Sequence, residues 1–375
     1  MGNSLKLFKV RGIDIRLHFT FPLILVWAAV QFGALSGYFE GAIFGVIVVS
    51  LLFVLVTLHE LGHSFAAQYY GVPVKQIVLS PIGGVAQLAR IPDKPLQELV
   101  IAIAGPAVNI IIAVLMALAL LIPNHDLANI NLALSGTAGL TFTAVYTYVF
   151  VSNIFLAVFN LLPAFPMDGG RILRALLALR LDYAKATNIA VQIGRVFAVG
   201  LGIWGLMNGN FFQMLIAFFI FGAGSQEAKY TQIRHKLKKY TVGQVYSADA
   251  YRLEPNYTLQ QAVNMLSYTK QQDFPVVFGE RLVGFLSGSQ LRAALQTHSA
   301  YEYVTAVMQR NLIPVTPHTD LFTVQNRMIA ENLEALPVVS AGDGRFLGII
   351  TRQNFNRIHK PSNNNPQEPI IVDAV

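Results

Sequence analysis

The sequence predicts a polytopic α-helical membrane domain of about six spans, followed by a C-terminal α/β pair of similar units. Three observations carry this. Of 375 residues, 54% are hydrophobic and only 13% charged, where a soluble domain carries about 25% charged residues. Long apolar runs follow one another up to Ala223, separated alternately by segments with and without Lys and Arg. After Tyr240 the composition turns ordinary, and one pattern of apolar strands and amphipathic helices occurs twice.

Residues 1–18 form a basic lead-in with Lys6, Lys9, Arg11 and Arg16. The first span is expected from Phe19 to Phe39, too long an apolar run for a cleavable signal peptide. The second runs from Ala42 to Phe65, the third from Leu99 to Ile122, the fourth from Ala138 to Leu162 and the fifth from Ile189 to Met207. A sixth apolar run, Phe211 to Ala223, is about 20 Å long as a helix, short for a hydrocarbon core of about 30 Å. A basic stretch with Lys229, Arg234, Lys236, Lys238 and Lys239 follows, and reads as a linker over 229–240. Together these give a transmembrane domain over 1–228.

Lys and Arg concentrate in the N-terminus, in 70–98, in 163–188 and in 229–239, and are absent around residue 40 and from 123–137 and 208–210. The alternation predicts that both termini are cytoplasmic, in a cell (plasma) membrane protein. The net charge of +7 follows from this orientation, and no nucleic-acid partner is expected. There is no cysteine, which excludes disulfides and thiolate metal ligands.

The second span ends in His59-Glu60-Leu61-Gly62-His63. Residues four apart share a helix face, so His59 and His63 can offer two imidazole nitrogens to one metal ion. Glu60 lies beside them, placed to take a proton from an activated water. This is the zinc-protease signature. Its setting is unusual, because Ala42 to Leu58 carries no charge, and ionisable groups inside a membrane segment are costly enough to point to function. The fourth span ends at the same membrane face in Asn160-Leu161-Leu162-Pro163-Ala164-Phe165-Pro166-Met167-Asp168-Gly169-Gly170. Topology therefore places Asp168 at a depth similar to that of the histidines. Prolines that break the helix there are tolerated where the backbone lines a cavity.

These two motifs resemble those of the site-2 protease family of intramembrane zinc metalloproteases, which pairs HExxH in one transmembrane helix with NxxPxxPxDG near another. The resemblance implies that His59, His63 and Asp168 ligate one Zn2+ per chain and that Glu60 is the catalytic base. It implies substrates that are single-span membrane proteins, cut by regulated intramembrane proteolysis. Gly105-Pro106-Ala107-Val108-Asn109 is similar to a GPxxN element of the family's following helix. Asn109, Asn153 and Asn160 are candidates to position substrate backbone or an oxyanion, against the plainer role of hydrogen bonding between helices. His18 reads as an interfacial histidine, with third ligand as the alternative. Gly83, Gly84 and Val85 lead an extended segment, 83–88, that resembles the family's substrate-holding strand; a protein edge strand can bind an unwound substrate by β-augmentation.

In the C-terminal half, Asp273 to Val277 with Leu282 to Leu286 matches Ala335 to Val339 with Phe346 to Ile350. Each pair is flanked by helical patterns. The arrangement resembles a tandem pair of cystathionine-β-synthase-type (CBS) domains, over 241–300 and 301–360, with a disordered tail over 361–375. Many nucleotide-binding CBS domains follow the second strand with Thr and, three residues on, Asp; here the Asp positions are Gln290 and Asn354. Nucleotide binding is therefore doubtful, and dimerisation or contact with the membrane domain is the expected role. The rival reading is a metal-ion or anion transporter regulated by its CBS pair. Such a protein needs ligands but no general base, and Glu60 favours the protease.

Overall fold

The computed structural model describes residues 4–35, 39–81, 83–88, 94–121, 127–269, 271–331 and 333–359. Two compact units divide within one helix, after Thr231. The first unit runs β1 (Ser4–Val10), β2 (Ile13–His18), α1 (Phe21–Leu35), α2 (Phe39–Tyr69), β3 (Val74–Ser80), β4 (Gly83–Leu88), α3 (Pro95–Ala119), α4 (Ile130–Ser135), α5 (Phe142–Asn160), α6 (Asp168–Ala178), α7 (Tyr183–Met207) and α8 (Phe211–Lys238). Helices α2, α3, α5, α7 and α8 are long and apolar enough to cross a membrane.

Two spans differ from expectation. The first expected span is α1, with 15 residues, about 22 Å at 1.5 Å per residue and short of the hydrocarbon core. The sixth, expected to end at Ala223, continues to Lys238 as α8, 28 residues in all. No Gly or Pro interrupts positions 225–238, so nothing stops the helix, and most of the expected basic linker is its last turns.

The basic lead-in and the polar loop over 70–98, expected as connections, meet in one sheet of order β1-β2-β3-β4. β2 and β3 pair in parallel, Ile15 opposite Ile77, because the α1–α2 crossover returns the chain in the same direction. Ile13, Ile15, Ile77 and Leu79 bury their side chains with Phe21 of α1 and Leu61 and Ala67 of α2. This packing fixes the sheet to the helix turn that carries the histidines. β4 ends the sheet, and among the described residues its outer edge pairs with no further strand.

The second unit repeats helix–strand–strand–helix: α9 (Leu259–Tyr268), β5 (Asp273–Phe278), β6 (Arg281–Ser287) and α10 (Gly288–Thr297), then α11 (Leu321–Ala330), β7 (Ala335–Val339), β8 (Phe346–Thr351) and α12 (Arg352–His359). Thr258 with Gln261, and Ser287 with Gln290, form capping boxes that start α9 and α10. Asp320 caps α11 by accepting from the Thr323 N–H. The two repeats bury separate cores, one around Phe274, Leu286 and Leu291 and the other around Leu321, Leu336 and Ile350. The expected tail over 361–375 lies outside the described residues.

Candidate metal centre

His59 and His63 sit one turn apart on α2, both buried, with their rings edge to face at 83°. Asp168 opens α6 and reaches the same point from the other side of the bundle. His59 Nε2, His63 Nε2 and Asp168 Oδ2 lie 3.1 Å from one another, each pair alike. Among the described residues this is the group of His and carboxylate side chains that could hold a metal ion.

The donor set fits a small divalent ion. His63 Nδ1 lies 2.7 Å from the Ile101 carbonyl oxygen, which can only accept, so the proton is on Nδ1 and Nε2 carries a lone pair. His59 Nδ1 lies 2.6 Å from Asn109 Oδ1, with the same consequence. Two lone-pair nitrogens and a carboxylate oxygen then converge in a buried place. They repel one another unless a cation sits among them. Ligand bonds of 2.0–2.1 Å around tetrahedral zinc imply ligand–ligand separations of about 3.3 Å, close to those observed.

The wall opposite His63 is α3. A Cβ on Gly105 would lie 2.2 Å from His63 Nε2, so only a residue without a side chain leaves the ligand atom room. Glu60 points toward the sheet. Its Oε2 accepts the Ala86 N–H of β4 at 3.2 Å. A Cβ on Gly84 would lie 2.9 Å from Glu60 Cγ; this glycine lets the strand pass over the carboxylate.

The other residues singled out from sequence separate clearly. Asn109, expected to meet substrate, is fully buried and spends its side chain on His59 and Asn153. Asn160 donates to its own helix, to the Leu156 carbonyl. Gly83, Gly84 and Val85 lie at the start of β4, with Val85 exposed. His18 shares a 2.7 Å hydrogen bond with Thr20 and is not in the metal-ligating group.

One cluster escaped sequence reading. Arg174, on the helix that Asp168 opens, is buried and pairs with Glu98 of α3, Nε to Oε1 at 2.9 Å, and with Glu227 of α8. Its guanidinium stacks near Phe165 and Tyr183. The cluster ties α6 to α3, which carries Asn109 and the Ile101 carbonyl. The signal available was an Arg and a Glu in segments otherwise assigned to loops. Arg174→Met is expected to destabilise the first unit by about 3–5 kcal/mol, since it leaves two carboxylates facing each other without a cation. Glu227→Gln, which removes the partly exposed partner, is expected to cost less. Thermal unfolding in detergent reads both; a wild-type midpoint for Arg174→Met would show that the cluster adds nothing to stability.

A buried His–His–Asp group on an apolar helix bundle, with a further carboxylate, Glu60, one residue from the first histidine, defines the class as a membrane metallopeptidase. The peptidase family M50 model matches residues 47–201, and the CBS domain model matches 304–358. A zinc metalloprotease of Methanocaldococcus jannaschii is 33% identical over 95% of this chain and 96% of its own. Stage IV sporulation protein FB of Bacillus subtilis is 27% identical over 57% of this chain and 69% of its own. The solved site-2 protease from Methanocaldococcus jannaschii covers 60% of this chain and 95% of that chain at 41% identity and a TM-score of 0.43. The chain belongs to peptidase family M50, the site-2 proteases, in the form of a membrane zinc metalloprotease with a C-terminal CBS pair.

Proposed function

We propose that this chain cleaves peptide bonds in or near the transmembrane segments of single-span membrane proteins, with its active site at the cytoplasmic face of the plasma membrane. The observation that carries the reading is the convergence of His59, His63 and Asp168 beside Glu60, all on elements of an apolar bundle. These three side chains would hold one zinc ion, which when bound acts as a Lewis acid that acidifies water and polarises the scissile carbonyl. Glu60 takes the proton of the attacking water on its carboxylate and delivers it to the leaving amine. Ile101 and Asn109 hold the two imidazoles with Nε2 facing the centre.

A peptide bond inside an α-helix is shielded by its own hydrogen bonding, so the substrate must be offered as a strand. The outer edge of β4 supports this, because among the described residues it pairs with no further strand and the strand passes beside Glu60 at Ala86. Gly83, Gly84 and Val85 line the start of that edge. The distribution of Lys and Arg supports cytoplasmic termini. The test is a comparison of membrane proteomes from cells expressing the wild type or Glu60→Gln. Single-span proteins should accumulate in full-length form with the variant; identical proteomes would exclude such substrates.

The CBS pair is proposed to modulate the peptidase through self-association rather than through adenine nucleotides. The amides that replace Asp in the two repeats are already engaged. Gln290 accepts the Ser287 N–H in a capping box. Asn354 accepts from Thr351 and donates to Val245 and Ser247. Calorimetric titration of the whole detergent-solubilised chain with ATP or AMP is expected to show no micromolar binding. Micromolar affinity lost on Thr351→Ala would make this half a nucleotide sensor instead.

A further inference from the structure

We propose that Asn153 is a positioning residue for the metal centre, fixing through Asn109 which ring nitrogen of His59 turns its lone pair to the centre. The proposal rests on the reading of His59 as a zinc ligand. One group in the chain of contacts cannot change role. The backbone carbonyl of Asn109 only accepts, and Asn153 Nδ2 donates to it at 2.8 Å. This fixes which branch of the Asn153 amide is oxygen. That oxygen accepts from Asn109 Nδ2 at 2.7 Å. Asn109 must then turn its own oxygen to His59 Nδ1, at 2.6 Å. An acceptor there keeps the proton on Nδ1 and leaves Nε2 with a bare lone pair, facing His63 Nε2 and Asp168 Oδ2.

The relay crosses three helices, from α5 through α3 to α2. Asn153 and Asn109 are fully buried and His59 nearly so, so bulk solvent does not compete for these bonds. Without Asn153, both faces of the Asn109 amide become available to His59. With its NH2 group turned to Nδ1, the imidazole proton moves to Nε2 and occupies the position a metal needs. Asn153 therefore acts by removing the wrong orientation of a neighbour. It touches neither metal nor substrate.

The experiment measures zinc affinity by chelator competition on whole, folded protein in detergent, with no dependence on catalysis. Asn153→Leu is expected to weaken zinc binding about 10–100-fold, the range for groups that orient metal-ligating histidines. Adding Asn109→Asp to Asn153→Leu should restore most of it. A carboxylate has no donor face, so it accepts from His59 Nδ1 in either orientation. A residue that merely filled space would show no such rescue, because the second change adds a buried charge to the first defect. Asn153→Asp is the variant that keeps the proposal testable should Asn153→Leu not fold. As the carboxylic acid it donates its O–H to the Asn109 carbonyl oxygen in place of Nδ2 and still accepts from Asn109 Nδ2, and it is expected to bind zinc much as the wild type does. Wild-type affinity in Asn153→Leu, or no recovery in the double variant, would overturn the proposal. Loss of affinity in Asn153→Asp equal to that in Asn153→Leu would also overturn it. A wild-type chain that takes up no zinc would instead overturn the metal centre, a result distinct from each of these.

Discussion

Glu60→Gln is expected to keep its zinc and to cleave peptides about a thousandfold more slowly than the wild type. A positioned general base contributes about 10²–10⁴ in rate, and a thousandfold is about 4 kcal/mol of barrier. The substitution isolates that contribution because glutamine has the same size and still offers an oxygen to the Ala86 N–H, the bond seen for Glu60 Oε2. None of the three candidate ligands is touched, so His59, His63 and Asp168 stay as they are. Only the ability to accept and return a proton is removed. The measurement is a pair: turnover on a transmembrane peptide in detergent, and zinc per chain by atomic absorption. Cleavage near the wild-type rate would show that the proton leaves by another route. Loss of zinc together with activity would make Glu60 part of the metal-holding machinery.

Asp168→Ala is expected to deplete bound zinc and activity together. Two histidines one turn apart remain, but structural and catalytic zinc sites use at least three protein ligands. No other His, Asp or Glu among the described residues joins the group within ligand reach. His18 in particular is engaged with Thr20. The backbone around Asp168 would survive the change, because it is held by contacts other than the carboxylate. A Cβ on Gly169 would lie 2.2 Å from the Leu162 carbonyl oxygen, so the turn is closely packed, and Arg174 ties the helix that follows to Glu98 and Glu227. Full zinc stoichiometry in Asp168→Ala would place the third ligand elsewhere and break the proposed centre. Asn160→Ala is the matched control within the same motif. Its side chain bonds its own helix, and zinc content should not change.

Which features were legible follows from the range of the interactions that create them. His59, Glu60 and His63 lie within five residues of one helix, and helix periodicity alone puts the histidines on one face. The repeated strand pairs, Asp273 to Leu286 and Ala335 to Ile350, are local hairpins whose apolar runs and turns are all nearby in sequence. The spans α2, α3, α5 and α7 are legible because a bilayer demands long, predominantly apolar runs.

What sequence reading could not supply is contact between distant segments. β2 and β3 pair across two helices, so the four-stranded sheet was hidden inside segments that looked like connections. β2 alternates Ile13, Ile15 and Leu17 with Asp14, Arg16 and His18, the pattern of a half-buried strand, but that local pattern does not say which distant strand it pairs with. Asn109 shows the same limit at one residue. Its polar side chain in an apolar span signalled a role, but whether that role faced substrate or histidine depended on the packing of α3 between α2 and α5. Arg174 looked like a cytoplasmic loop charge until α6 brought it against Glu98 and Glu227.

Sequence by itself determined the chemistry available to this protein: two imidazoles and a carboxylate at helical spacing, a second carboxylate at matching depth, a membrane setting, and a doubled C-terminal unit. Each is a matter of local periodicity or of composition over a span. Only the tertiary structure decided which nitrogen of each histidine is free, that Asp168 comes within hydrogen-bond distance of both, and that β4 passes beside Glu60. Those outcomes depend on hydrogen-bond direction and close packing between segments 26 to 109 residues apart, where nothing in the local sequence sets the geometry.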